Sequence, residues 1–231
     1  MDFYETHLVP VIRKTCAALE ATPQMQEILH GEMPMERFRW QIRQNYQYLM
    51  EYTKCWAVGL AKAQSFGEME QWYAIVKSTF EGTVAFNRTF WAQQLGISLD
   101  ELDRTIMAEK KRSYTSHELA RAFEGDLACA MMGLFPCNIL YLQLGRDLLP
   151  RCTLDKDNMF YRWIEFYTLP AYEAKCKNEI AMVNRLCENK SAAETRHLLE
   201  IFAVSCNYEI LQWRDMYYKM ETWPLEEIFP Q

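Results

Sequence analysis

Apolar residues recur every three or four positions along most of the chain, which is the spacing of one face of an α-helix. The clearest pattern follows Pro34 and runs towards Phe66 and Gly67. Its periodic face contains Phe38, Ile42, Asn45, Tyr48, Leu49 and Tyr52. A long helix is therefore predicted over this part of the chain.

Similar patterns predict helices elsewhere in the sequence. A first helix is predicted over much of residues 2–21, with Pro10 as a local interruption. The further predicted helical regions are 23–30, 68–94, a short helix from 98, 113–150, 155–188 and 191–220, and a short closing segment follows at 223–231. Interruptions are expected around residues 133–136 and at Pro170, because proline removes a backbone donor and crowds the preceding turn.

Several predicted helices have ends marked by suitable residues. Thr22-Pro23 is typical of a helix start, and Gly31 and Gly96 are typical of helix ends. The stretches Ser98-Leu-Asp-Glu101 and Ser191-Ala-Ala-Glu194 both have the form of a capping box. These signals predict short connections between antiparallel helices.

Composition agrees with a helical globular protein. Half of the 231 residues are apolar and 24% are charged. The 8 Gly and 8 Pro are few for an all-β protein of this length, which needs many tight turns. We therefore expect an all-α, multi-helix bundle that forms a single domain over residues 1–231.

Net charge argues against nucleic acid as a partner. The formal charge is −6 at pH 7, and the densest basic run is only Lys110-Lys111-Arg112. Proteins that bind duplex DNA usually carry a basic face. We interpret this run as a solvated helix end.

The cysteines and the apolar segments indicate the compartment. The eight cysteines form no CxxC motif, and residues 1–5 do not resemble the start of a secretory leader. We expect most thiols to be buried and reduced in a cytoplasmic protein. The apolar stretch 127–144 superficially resembles a membrane span, but it contains Pro136, Asn138 and Gln143. A buried bundle helix, broken near Pro136, fits it better, and no membrane association is expected.

Cys137 is the first residue that could carry chemistry. It follows Pro136, where a new helix is predicted to begin, and Tyr141 shares its helical face. A helix N-terminus lowers the pKa of a thiol and favours the nucleophilic thiolate. The alternative is a small buried thiol of the core.

Two further clusters place polar groups on apolar helix faces. Asn45 and Tyr48 lie beside Ile42 and Leu49, where an amide needs a hydrogen-bond partner. Glu209 lies on the apolar stripe of the last helix, and such a carboxyl tends to have a raised pKa that suits a general acid or base. A structural hydrogen bond for Asn45 and a half-exposed position for Glu209 remain the alternatives.

Other kinds of site find no support in the sequence. The four histidines, at 7, 30, 117 and 197, show no metal-ligand spacing, so no metal site is expected. Glycine-rich phosphate loops and the GxSxG motif are also absent.

Taken in order, the motifs resemble those of the TenA family of thiaminase II proteins. They are Gly31, Gln44-Asn-Tyr-Gln-Tyr48, Tyr114 before His117, Leu134-Phe-Pro-Cys-Asn-Ile-Leu-Tyr141 with Leu144-Gly145, Tyr161-Arg-Trp-Ile-Glu-Phe-Tyr167, and Phe202-Ala203 through Glu209 and Trp213. The resemblance covers nearly the whole chain and implies the all-α, haem-oxygenase-like fold.

The resemblance also implies an activity and its residues. Members of the family cleave thiamin or hydrolyse aminomethylpyrimidine products of thiamin breakdown to hydroxymethylpyrimidine, in thiamin salvage and without a cofactor. By analogy Cys137 is the nucleophile that adds to the pyrimidine, and Glu209 moves the proton of the departing amine. Tyr114, Tyr141 and Tyr167 would line the pocket and hydrogen-bond the catalytic groups, and Tyr48 would stack or pack against the substrate. A homotetramer is expected.

Two departures from the family pattern qualify these expectations. Asn45 stands where the family has an aspartate that binds the amidine edge of the pyrimidine, so activation of the ring should be weaker. Val84 and Asn87 stand where glutamate and histidine are frequent, in a region expected to support the fold. Two alternatives therefore stay open. One is an enzyme with a diverged amine-bearing heteroaromatic substrate, and the other is a ligand-binding or regulatory protein without turnover.

Overall fold

The computed structural model describes residues 2–229, and within that range the chain is helical without strands. This confirms the all-α prediction. The α-helices are α1 (Val9–Glu20), α2 (Pro23–His30), α3 (Met35–Lys62), α4 (Phe66–Lys77), α5 (Ala92–Gln94), α6 (Leu99–Arg104), α7 (Glu109–Glu124), α8 (Leu127–Leu148), α9 (Met159–Phe166), α10 (Pro170–Leu186) and α11 (Ala192–Leu211). Residues Tyr4–Leu8, Ser78–Val84, Asn87–Trp91 and Gln212–Tyr217 are π-helical, and Leu149–Arg151 and Glu226–Ile228 are 3₁₀-helical.

Helix α8 lies at the centre of the bundle and packs against α1, α3, α7, α10 and α11. Together with its short extension to Arg151 it is long and apolar enough to cross a membrane, but 83% of its most apolar window is buried inside the protein. The apolar residues of this stretch therefore form the core of the bundle, as predicted.

Most predicted helix ends are confirmed. Gly31 and Gly96 have φ angles of 74° and 61°, in the left-handed region where glycine is favoured. Ser191 and Glu194 form both hydrogen bonds of a capping box, and Pro170 is the first residue of α10. The last helix continues through Tyr217, close to the predicted end. Pro230 and Gln231, the end of the predicted closing segment, lie outside the described residues.

The predicted break around residues 133–136 is wrong. Helix α8 runs through Pro136 without interruption, and the boundary lies instead at Gly125 and Asp126, where Oδ1 of Asp126 accepts a hydrogen bond from the backbone of Cys129 at 2.9 Å. Side chains from two neighbouring helices hold α8 in the turn that precedes the proline. Ser205 donates to the carbonyl of Gly133 at 2.9 Å, and the Tyr52 hydroxyl donates to the carbonyl of Leu134 at 2.9 Å.

The long helix from Pro34 also ends earlier than predicted. It stops at Lys62, and Ser65 begins α4 by accepting a hydrogen bond from the backbone of Glu68 at 3.2 Å. The predicted helix over 68–94 is confirmed, because the chain is helical without a break over residues 66–94, with two π-helical segments between α4 and the short α5. The predicted region 155–188 contains α9 and α10, and the expected interruption lies just before Pro170, where α10 begins.

Candidate active site

A cavity of about 30 Å³ lies between α3, α7, α8, α10 and α11. Six of the seven predicted site residues line it: Asn45, Tyr48, Cys137, Tyr141, Tyr167 and Glu209. The other lining residues are Leu49, Tyr52, Thr83, Lys111, Asn138, Tyr172 and Lys175. Residues that are far apart in sequence thus converge on one enclosed space.

Cys137 lies in the middle of α8, with its side chain buried at the cavity wall. Burial raises the pKa of its thiol, and the nearby Glu209 and Glu118 carboxyls raise it further, while Lys111 lowers it. The predicted helix N-terminus beside this thiol is absent because α8 does not break at Pro136. A helix end therefore does not lower the pKa of this thiol, whereas Lys111 at the same cavity does.

Glu209 of α11 is 1% exposed, so the prediction that it lies on the buried stripe is borne out. The Tyr141 hydroxyl donates to Oε2 of Glu209 at 3.2 Å, and Nε1 of Trp213 donates to the same hydroxyl at 3.0 Å. Burial raises the pKa of Glu209, while Lys111 and the hydrogen bond from Tyr141 lower it. A carboxyl of this kind suits proton transfer near neutral pH.

Four tyrosine rings form a column behind one wall of the cavity. Tyr48 stacks on Tyr52 at 5.4 Å and on Tyr114 at 5.5 Å, and Tyr114 stacks on Tyr208 at 5.3 Å. The Tyr114 ring lies behind that of Tyr48 and is not among the cavity-lining residues, but a hydrogen bond between Tyr114 and Glu209 lowers the pKa of that carboxyl. The stacking of Tyr114 fixes Tyr48, whose hydroxyl donates to Oε1 of the buried Glu118 at 2.8 Å.

The opposite wall is also aromatic. The Tyr141 ring lies 4.9 Å from that of Tyr167, and the Tyr167 ring meets Tyr172 edge-on at 5.3 Å. Aromatic walls of this kind suit a flat ring as the ligand.

The two departures from the family pattern have different structural consequences. Asn45 is half-buried at the cavity, and its side chain makes no hydrogen bond to any residue that the structure describes. Val84 is buried, and the Asn87 amide donates to the carbonyl of Thr83 at 2.9 Å, so both residues serve the local fold. Thr83 itself reaches the cavity.

Sequence reasoning missed Lys111. Lys111 is 1% exposed, and its Nζ lies 3.9 Å from the centroid of the Tyr48 ring. The interpretation of Lys110-Lys111-Arg112 as a solvated helix end is therefore wrong for its central residue. The signal was its spacing on α7, because Lys111, Tyr114, Glu118 and Ala122 share the buried face.

A second polar network was also missed. Asn138 donates from Nδ2 to Oε1 of Glu179 at 2.8 Å, and Nζ of Lys175 donates to Oδ1 of Asn138 at 3.2 Å. Glu179 is fully buried, and burial raises its pKa to about 7 against the lowering effects of Lys175 and Asn138. Asn138 and Lys175 connect this network to the cavity wall.

A larger neighbouring cavity has a volume of about 530 Å³. It shares Thr83, Tyr172 and Lys175 with the central cavity. The two cavities therefore adjoin at these three side chains.

Metal ligands are not grouped in the part of the chain that the structure covers. No three of the described His, Cys, Asp or Glu side chains could hold an ion together. Nε2 of His117 lies 3.1 Å from the Ser205 hydroxyl. All eight cysteines have free thiols.

Comparison with known proteins gives the following relatives. The sequence profile of the TENA/THI-4/PQQC family matches residues 23–220. An aminopyrimidine aminohydrolase of Bacillus subtilis (strain 168) is 29% identical over 202 residues, covering 87% of this chain and 84% of the relative. One of Helicobacter pylori is 28% identical over 200 residues, covering 85% and 90%. The solved structure of a TenA homologue from P. horikoshii OT3 has a TM-score of 0.82 at 18% identity, covering 95% of this chain and 99% of that chain.

Proposed function

Because the chain belongs to the TENA/THI-4/PQQC family, we propose that it is an aminopyrimidine aminohydrolase of the thiaminase II type. Its substrate would be thiamin or an aminomethylpyrimidine product of thiamin breakdown, and its product would be hydroxymethylpyrimidine for salvage. The observation that carries the proposal is that Cys137 of α8 and Glu209 of α11 line one enclosed, aromatic-walled cavity.

The proposed reaction replaces an amine by water. Glu209 takes the proton of the Cys137 thiol, the thiolate adds to a ring carbon, and an electron pair of the ring moves to a ring nitrogen. That pair then expels the amine from the adjoining methylene carbon, with a proton from Glu209. Water adds to the methylene carbon and gives a proton to Glu209, after which the thiolate leaves the ring and takes that proton back. One water is consumed, one amine is released, and both side chains return to their starting state.

Product release from candidate substrates tests this proposal. Reduced protein is incubated with aminomethylpyrimidine or thiamin, and hydroxymethylpyrimidine is measured by chromatography. We expect turnover by the wild type and a loss of at least about 10³-fold in Cys137→Ser and Glu209→Gln. Cys16→Ser is the matched control, because the Cys16 thiol is buried outside the cavity and donates to the carbonyl of Leu140 at 3.6 Å. The proposal fails if neither substrate yields product or if Cys137→Ser keeps its activity.

Asn45 favours a second candidate, an enzyme that acts on another amine-bearing heteroaromatic compound. The residue lines the cavity but brings no negative charge to a protonated ring. Asn45→Asp should raise the rate on aminopyrimidines if these are the substrates. A variant that gains nothing on them supports the diverged substrate.

We further propose that the protein assembles as a homotetramer. Phe66, Met69 and Tyr73 lie at three- and four-residue spacing on α4 and are 82%, 51% and 56% exposed. Exposed apolar groups of this kind often mark protein interfaces. Light scattering should give four times the chain mass of 27.5 kDa for the wild type and a smaller species for Met69→Glu/Tyr73→Glu. A wild-type mass of 27.5 kDa would contradict the assembly.

A further inference from the structure

Lys111 presents a buried ammonium group to the central cavity. The residue is 1% exposed, lines the cavity, and has no carboxylate oxygen within 4 Å of Nζ in the described part of the chain. Its close neighbours are π-faces, with Nζ 3.9 Å from the centroid of the Tyr48 ring and 5.2 Å from that of Tyr217. The ammonium is thus buried without an ion-pair partner.

Aromatic faces stabilise the charge of an ammonium but do not replace its hydrogen-bond acceptors. Lys111 carries three N–H donors, and none of the side chains that the structure describes accepts a hydrogen bond from them. Burial of unpaired donors is unfavourable, and such groups usually have a partner in the functional state. The cavity is the place where an acceptor of the ligand could reach them.

Glu209 does not take this role. Its carboxylate lines the same cavity but accepts its hydrogen bond from Tyr141. Lys111 and Glu209 therefore present separate positive and negative groups to the ligand. Asn45, which also lines the cavity, is neutral.

We infer that Lys111 is a further catalytic residue of this site, whose ammonium binds a ring nitrogen of a neutral heteroaromatic substrate and stabilises the negative charge on that nitrogen when Cys137 adds to the ring. The inference rests on the proposed function of Cys137 and Glu209. It also defines the substrate class, because a cation facing the ring nitrogen favours an unprotonated ring with a free lone pair.

The addition step is balanced with these groups. The thiolate forms the new S–C bond, the C=N electron pair moves to the ring nitrogen, and Lys111 donates a hydrogen bond or its proton to that nitrogen. When the ring electrons return to expel the amine, Lys111 recovers any proton it gave. The net reaction remains the exchange of one amine for one water.

Titratable groups surround Lys111 on every side that packs against it. They are Tyr48 of α3, Tyr114 and Glu118 of α7, Cys137 of α8, Glu209 of α11 and Tyr217 of the following π-helical segment. Burial lowers the pKa of Lys111, and Glu209, Cys137 and Glu118 raise it. The nearby carboxyls therefore favour the charged amine.

Kinetics of Lys111→Met and Lys111→Arg provide the first test, on the substrate that the wild type turns over. For Lys111→Met we expect kcat to fall about 10²–10³-fold, as for loss of one donor to a transition-state charge, with KM changed less. Lys111→Arg should restore part of the loss. Asn45→Asp in the Lys111→Met background should also restore activity, because a carboxylate activates the ring by favouring its protonation. A Lys111→Met variant with kcat within twofold of wild type overturns the inference and leaves the proposed function standing.

Nuclear magnetic resonance of ring-¹⁵N-labelled hydroxymethylpyrimidine tests the inference without turnover. At a pH equal to the pKa of the free ligand, the wild type should bind the ring in its neutral form. The double variant Asn45→Asp/Lys111→Met should bind the ring in its protonated form. A protonated ring bound to the wild type overturns the inference. The wild-type spectrum decides the matter even if the variants do not fold. Failure of the proposed function is seen separately, as absence of product or as full activity in Cys137→Ser.

Discussion

The Tyr141 hydroxyl donates a 3.2 Å hydrogen bond to Oε2 of Glu209 and links the central helix α8 to α11 across the cavity. Trp213 donates to the same hydroxyl at 3.0 Å, so the proton of Tyr141 is directed towards the carboxylate. This pair fixes the orientation of the group proposed to move the amine proton. It also opposes the effect of burial on the pKa of Glu209.

Tyr141→Phe should therefore raise the pKa of Glu209. A hydrogen bond to a charged group contributes about 1.5–3 kcal/mol, which corresponds to a shift of about one to two pH units. If the reaction needs the ionised carboxylate in the free enzyme, the acid limb of the kcat/KM profile moves to higher pH by about that amount. Carbon-13 spectroscopy of the glutamate side chains measures the same shift directly.

Tyr167→Phe is the control for this experiment. Its ring lies 4.9 Å from that of Tyr141 at the same cavity, but its hydroxyl bonds to no residue that the structure describes. The acid limb should stay in place in this variant. An unchanged profile in Tyr141→Phe would show that the hydrogen bond does not control Glu209.

Glu179 should make the protein less stable as the pH rises. Burial raises its pKa from 4.5 to about 7, so between these values the folded state binds a proton that the unfolded state has lost. The free energy of unfolding then decreases across this window, by about 3 kcal/mol in total at about 1.4 kcal/mol per pH unit. The loss is complete above pH 7.

Glu179→Gln should remove this contribution, because glutamine does not titrate. Urea unfolding at pH 5, 6, 7 and 8 should show a smaller decrease in stability for the variant than for the wild type. Glu173→Gln on the same helix is the control, since Glu173 is partly exposed in a surface pair with Arg146. Parallel curves for the wild type and Glu179→Gln would refute the assignment.

The helix starts and ends were predictable because they depend on residues that are close in sequence. Ser191 and Glu194 cap each other within one turn, and Gly31 adopts a left-handed φ angle at the end of its own helix. The predicted break near Pro136 failed for the opposite reason. The backbone of α8 is held there by Ser205 and Tyr52, which are distant in sequence.

The same distinction between local and long-range contacts applies to the candidate active site. Cys137, Tyr141 and Glu209 were identified because they match a family motif or lie on an apolar stripe. Lys111 was placed in solvent because it lies within a basic run, and only the packing of α7 against α3 and α8 buries it. The contact of Asn138 with Glu179 joins residues 41 positions apart and follows from the packing of α10 on α8.

Gly59 should tolerate no side chain. A Cβ atom at this position would lie 2.1 Å from the ring of Trp72, which is fully buried and packs against Trp56 at 5.4 Å. Overpacking of this kind costs about 1–3 kcal/mol or more and outweighs the helix preference of alanine, about 1 kcal/mol. Gly59→Ala should lower the free energy of unfolding. Gly67→Ala should not, because its Cβ would meet no atom within 4 Å.

Pro136→Ala tests whether a helix end contributes to the reactivity of Cys137. Alanine restores the backbone donor for the carbonyl four residues earlier in the continuous α8. The rate at which iodoacetamide modifies Cys137 should change less than twofold, because burial and nearby charges, and not a helix end, set the pKa of the thiol. Peptide mass spectrometry separates Cys137 from the other seven thiols. Lys111→Met should slow the modification about tenfold for each pH unit by which the pKa rises. Slower modification in Pro136→Ala, with no effect of Lys111→Met, would instead show that the local helix geometry controls the reactivity of Cys137.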